Sequence, residues 1–258
     1  MRSIFVMLTA AVCFAAWTSQ AQPQAGKTYS SADDVQAMIA AGKSGPLASF
    51  GPYQARLETH RTPQAAPVKQ DQAELIYIVA GRGALTMGGM PLPLEKAAAI
   101  FVPANTAWQI TKIDGSLSTI SMRLPVGGNA TESKAKTFAS VDDFRALVAA
   151  GKNDTLVALP PYRDVFQYRK DPQNALLHQN DDEFVYIAQG SGTFTVGGTL
   201  NDPKRTTPGN SSGSGITGGT RHKVAAGTVI FVPANTPHQF SGISGALISI
   251  DLHLPHAN

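Results

Sequence analysis

Two histidines and a glutamate in the second half of the chain are the side chains best placed to do chemistry together. His178 closes the apolar run Ala175–Leu177, Gln179-Asn180-Asp181-Asp182 reads as a polar turn, and Glu183 opens the strand-like Phe184–Ile187. A four-residue hairpin turn sets the residues that flank it side by side on one face. His238 follows the apolar run Ile230–Val232 and the turn Pro233-Ala234-Asn235-Thr236-Pro237. Two imidazoles and one carboxylate offered from strand ends suit one divalent transition metal, with iron, manganese, nickel and zinc all compatible and positions left open for water or substrate. Glu183 is then a ligand and, on exchange, the one candidate catalytic base; no separate general acid or nucleophile stands out. His222 lies between Arg221 and Lys223 beside a Gly- and Ser-rich segment. It reads as exposed, with a role as fourth ligand as the alternative. His60, His253 and His256 fit no pattern and read as surface residues. Tyr168, Gln239 and Phe240 are candidates to line the pocket, while Tyr53 and Tyr162 read as structural.

The elements that must position these residues come from an internal repeat. Ser31-Ala32-Asp33-Asp34 recurs as Ser140-Val141-Asp142-Asp143, 109 residues later, and Pro52-Tyr53 recurs as Pro161-Tyr162. The stretch Ile100–Thr106 returns letter for letter as Ile230–Thr236, at an offset of 130. The change of offset reflects an insert at 200–221, rich in Gly, Ser, Thr and Pro, whose composition predicts a mobile surface loop, with a lid as the alternative. Each copy opens with a helix whose N-cap is Ser31 or Ser140, and short strands with period-two patterning follow. Many short strands punctuated by Gly predict an all-β fold with minor helix: two tandem antiparallel β-barrels or jelly rolls, each preceded by a helix. The boundaries expected are 1–21 for a signal peptide, 22–130 for the first barrel and 131–258 for the second. The first copy acts as an internal control. Lys69 and Trp108 stand where the second has His178 and His238, and only Glu74 keeps the identity of Glu183. Lys69 is expected to neutralise Glu74, and Trp108 to fill the barrel mouth or bind something flat.

The spacing of His178, Glu183 and Gly190, followed by Gly227, Pro233 and His238, resembles the two signature motifs of the cupin superfamily. That resemblance spans both copies and implies a bicupin whose second barrel keeps a metal site. It also marks departures. Cupins commonly carry another His where this chain has Leu176, so the implied ligand set is three rather than four. Asn235 replaces a common Gly, a tolerable exchange because Asn accepts left-handed turn geometry, and Thr228 replaces a common Asp.

Composition narrows the function. Of 258 residues, 43% are hydrophobic and 15% charged, which supports a packed core and excludes disorder as the main state. A net charge of +3 without a basic run gives no nucleic-acid footprint. Met1-Arg2, the apolar Ile4–Trp17 and Ser19-Gln20-Ala21 predict a signal peptide cleaved after Ala21, hence a periplasmic or secreted protein with no membrane association after cleavage. A lipid anchor at Cys13 is the alternative, opposed by the bulk of Val12 before it. With Cys13 removed, the mature chain carries no thiol. Two functions remain open: a metal-dependent enzyme acting on a small oxygenated or anionic substrate, dioxygenase-like in its ligand set, and a non-catalytic protein that binds a small ligand or metal. Further assembly into oligomers is compatible with either.

Overall fold

The computed structural model describes residues 27–125 and 135–256. The expected signal peptide, Cys13 and the boundary at 130 lie outside the described residues. The first half contains β1 (Tyr29–Ser30), α1 (Ala32–Ala40), β2 (Gly45–Phe50), β3 (Tyr53–His60), β4 (Ala73–Met87), β5 (Met90–Glu95), β6 (Ala99–Val102) and β7 (Trp108–Leu124). The second half begins with β8 (Phe138–Ala139), α2 (Val141–Ala150), β9 (Asp154–Leu159), β10 (Tyr162–Arg169), β11 (Ala175–His178) and β12 (Asp181–Val196). Then come β13 (Thr199–Asn201), β14 (Lys204–Thr207), β15 (Asn210–Gly213), β16 (Gly215–Thr217), β17 (Thr220–Ala225), β18 (Val229–Val232) and β19 (His238–Pro255).

Both helices begin as the sequence predicts. The Ser31 side chain accepts from the Asp34 amide, and Ser140 and Asp143 form a reciprocal capping box. The two sheets share one antiparallel pairing order. The first runs β2-β3-β7-β4-β6-β8 with β5 on β4; the second contains β9-β10-β19-β12-β18-β1 with β17 on β12. The short strands β1 and β8 are exchanged: each precedes its own copy's helix yet hydrogen-bonds to the other copy's sheet. Sequence-based boundaries do not anticipate that exchange, because a two-residue strand carries no signal of its partner.

Strand periodicity explains how two barrels make one core. On β12, Phe184 and Tyr186 join a cluster shared by both halves, while Val185 and Ile187 face the interior of the second barrel. Leu75 and Tyr77 against Ile76 and Ile78 divide β4 in the same way. Successive side chains on a strand point to opposite faces. Glu183 lies two residues before Val185, so the same register aims its carboxylate into the second barrel.

The insert at 200–221 is a correction to the expected loop. It folds as β13 paired with β16 and β14 paired with β15, and β15 adds to the edge of β11. Leu200 anchors it as a buried apolar side chain. Pairing with β11 gives the backbone N–H and C=O groups along the β15 edge their hydrogen-bond partners.

The shared core buries a carboxyl group that the barrel chemistry does not use. Asp164, fully buried, faces the Tyr77 hydroxyl, and neither has a hydrogen bond of normal geometry. Burial pushes the Asp164 carboxyl well above the ordinary aspartate range, with the nearby Asp251 adding to the rise. An acid whose folded pKa is raised favours folding fully below its unfolded pKa and loses that contribution as pH rises. The contribution of Asp164 to the unfolding free energy should therefore fall above about pH 4, by up to about 1.4 kcal/mol per pH unit. Asp164→Asn should remove that contribution. Denaturant melts of both proteins at several pH values measure the difference; parallel profiles would show that Asp164 does not titrate in this way.

Candidate functional site

His178 is the last residue of β11, Glu183 lies near the start of β12, and His238 opens β19. Leu176 pairs with His238, which fixes β11 against β19. Contrary to the hairpin expected from sequence, β11 and β12 are not paired with each other: β11 bonds to β15 and β19, and β12 to β17, β18 and β19. The side chains nonetheless converge. His178 Nε2 lies 3.3 Å from Glu183 Oε1, and His238 Nε2 lies 3.2 Å from Glu183 Oε2. One candidate ligand atom from each of the three residues falls within 4.8 Å of the others. Glu183 and His238 are buried and His178 nearly so.

The rings are held from behind. His178 Nδ1 contacts Asn210 Oδ1 at 2.5 Å, and the Asn210 amide donates to Thr207 Oγ1. His238 Nδ1 contacts the Thr236 carbonyl at 3.2 Å. Contacts at both Nδ1 atoms fix the rings with Nε2 turned toward Glu183, where His178 Nε2 donates to the carboxylate until a metal displaces its proton, the arrangement that orients histidine ligands. Asn210 belongs to the insert, so the extra segment reaches the site through a side chain that sequence reading passed over. The turn before His238 is fixed by a bond from the Ala234 amide to Asp182 Oδ1 and one from the Asn235 amide to the His178 carbonyl. Asn235 has φ 59°, the left-handed geometry expected of it.

The charges respond to this packing. Burial raises the Glu183 carboxyl, but the neighbouring His238, His178 and His253 more than offset it and hold the group ionised below its ordinary range. For His178, burial lowers the pKa, yet hydrogen bonding and charge from Glu183, with Asn210 and Asp181, raise it to about 9. Burial keeps His238 below its usual value despite Glu183.

Two expectations about other residues need correction, and the alternative role of His222 is not met. His253 is not a surface residue: it sits opposite Glu183 across β12 and β19, with Nε2 3.8 Å from Glu183 Oε1. Its partner strand lies far along the chain, so local patterning offers no signal for the contact. His222 is not beside the three convergent residues; it stacks on Tyr29 at 4.2 Å on β17. Tyr168 packs against the shared core, whereas Gln239 and Phe240 line the pocket as expected. Of the others read as surface, His60 faces Glu58 at 3.8 Å and His256 contacts Asp182 at 3.0 Å. Tyr53 and Tyr162 are buried and structural, as expected.

The pocket beside the three residues has a volume of about 220 Å³. Phe194 and Phe240 form its apolar wall, and Arg163, Gln167, Gln173 and Gln239 offer donors. At its base the buried Arg169 binds Asp251 at 2.9 Å, donates to Ser249 and Gln173, and lies over the Phe240 ring.

The first barrel departs from this plan through a one-residue slip. Val68 bridges Trp108, whereas the position matching Val68 in the second barrel is Leu177, next to the Leu176 that pairs with His238. A slip of one residue exchanges the two faces of a strand. Lys69 is therefore exposed and does not neutralise Glu74, as it was expected to; Gln70 donates to Glu74 Oε2 instead. Trp108 is buried within the first barrel's own core, so it fills space, as one of its two expected roles had it, deeper than the mouth.

With this geometry in place, similarity to solved structures identifies the architecture. The chain resembles salicylate 1,2-dioxygenase from Pseudaminobacter salicylatoxidans, with TM-score 0.64, 10% identity, and coverage of 87% of this chain and 83% of that one. Its structure with gentisate gives TM-score 0.65 at 10% identity, covering 87% and 80%. A cupin 2 conserved barrel domain protein from Leptotrichia buccalis gives 0.53 at 13% identity, covering 82% and 88%. No protein-family model matches the chain, and no curated protein matches it in sequence. At such identities the likeness establishes the fold, which is that of cupin proteins with two barrels.

Proposed function

We propose that this chain is an exported bicupin that holds one divalent transition metal in its second barrel and acts there on a small oxygenated or anionic substrate, as a dioxygenase-like enzyme. The observation that carries the reading is the approach of two Nε2 atoms to the two oxygens of one buried carboxylate, at 3.2 and 3.3 Å. Ligand atoms about 2.1 Å from a common ion lie roughly 3–4 Å apart, so these separations fit a shared centre. A bound ion would supply Lewis acidity and, if it is iron, a place for dioxygen. The chain's own part is to hold the imidazoles by Nδ1, to keep Glu183 ionised, and to present Arg163 and the glutamines to substrate oxygens. Glu183 is also the group able to take a proton from a substrate hydroxyl. The likeness to salicylate 1,2-dioxygenase supports this choice of reaction class, and the repeat supports an origin by internal duplication.

The reading fixes a pH dependence. Without metal, His178 carries a proton up to about pH 9, whereas His238 and Glu183 are already in their metal-binding forms near neutrality. Binding should then displace one proton, so affinity rises about tenfold per pH unit from pH 7 and levels off near 9. Competition titrations with a zinc chelator measure the slope; a flat profile would contradict the assignment. For activity, oxygen uptake by iron-loaded protein should respond to at least one member of a panel of hydroxybenzoates and small dicarboxylates. Metal binding without turnover across that panel would favour the non-catalytic alternative.

A further inference from the structure

We infer that His253 is a third imidazole of this centre, supplied by the last strand of the barrel in place of the histidine that the motif would put at Leu176. The inference rests on the metal reading above and deepens it. Three observations converge on it. First, β19 sets His253 directly opposite Glu183, in the barrel-facing register shared with Val185 and Asp251. Second, the His253 Nε2 lies 3.8 Å from Glu183 Oε1, and its ring centroid lies 5.6 Å from that of His178 at an interplanar angle of 77°; it stands just outside the 4.8 Å set formed by His178, Glu183 and His238, so a small side-chain movement on metal binding brings it in. Third, the contrast between copies extends to this position. At the offset of 130 that relates Trp108 to His238, the residue matching His253 is Arg123. The barrel with His178 and His238 therefore also has His253, while the barrel with Lys69 and Trp108 has a guanidinium, which supplies no lone pair to a cation.

Leu176 occupies strand β11 and faces the same pocket. A histidine there and one at 253 would reach the same pocket from different strands, which is how His253 can stand in for the missing motif position. With His253 included, the centre has three imidazoles and one carboxylate.

X-ray absorption of zinc-loaded protein, combined with chelator competition, tests this. Zinc in the wild type should show three imidazoles. His253→Ala should show two, with affinity lower by about a hundredfold, the upper end of what losing even an outer partner of a metal ligand costs. The double variant Leu176→His with His253→Ala should regain the third imidazole and most of the affinity, which also guards against a mere folding defect. A wild type that binds zinc through two imidazoles, with His253→Ala unchanged within twofold, would overturn the role of His253 and leave the metal reading intact. Failure of the wild type to bind zinc, or zinc retained when both His178 and His238 are replaced, would overturn the metal reading and this inference with it.

Discussion

Replacing His238 with alanine is expected to strip the protein of bound metal, and His178→Ala is expected to do the same. Each substitution removes an Nε2 that lies within 3.3 Å of Glu183 and leaves the ionised carboxylate with fewer partners. Affinity should fall by at least about a hundredfold in each case, exceeding the tenfold to hundredfold typical of outer-shell losses. The two variants should differ in one respect. His178→Ala also frees Asn210 of the insert, so the β14–β15 hairpin should exchange amide hydrogens faster. His238→Ala leaves that contact intact. Metal analysis and hydrogen exchange on the same samples separate these effects; metal retained at wild-type affinity in either variant would refute the assignment of its ligand.

The second large effect concerns the floor of the pocket. Arg169 and Asp251 are both buried, 2.9 Å apart, with Ser249 bridging to the carboxylate and Gln173 accepting from the guanidinium. Removing one member of a buried pair leaves the other charged and unpaired, at about 3–5 kcal/mol. Arg169→Met should therefore destabilise the apoprotein by that order, and adding Asp251→Leu should recover much of the loss. Asp251→Leu alone should also be destabilising, because it strands the guanidinium. Denaturant unfolding of the four proteins forms a double-mutant cycle. Losses that simply add would mean that the two groups do not depend on one another.

Much of this architecture is legible in the sequence, and the reasons are local. Ser31 and Ser140 announce their helices through capping chemistry acting over three residues. Alternation along Leu75–Ile78 and Phe184–Ile187 announces strands with two buried faces. His178, Glu183 and His238 are recognisable because fixed spacing within a copy brings them to one barrel mouth. What escapes is decided by pairing between distant segments. Nothing near Ser30 shows that it will bond to Val229, or near His253 that it will stand opposite Glu183. Lys69 shows how narrow the margin is. Its sequence position matches that of His178, but the Val68–Trp108 bridge turns it outward and brings Gln70 to Glu74. The second barrel has β15 along β11 to hold its register, and that strand belongs to the segment whose composition reads as a loop.

The central claim is that one barrel of the two holds a metal, and its most direct test is stoichiometry. Wild type and Glu74→Ala, reconstituted with excess divalent metal and freed of unbound ions, should each retain one ion per chain. In the first barrel Glu74 is held by Gln70, and Lys69 and Trp108 stand where the second barrel has imidazoles, so its loss should change nothing. Two ions per chain, or one in the wild type and none in Glu74→Ala, would place metal in the first barrel and contradict the account, as would a wild type that retains none.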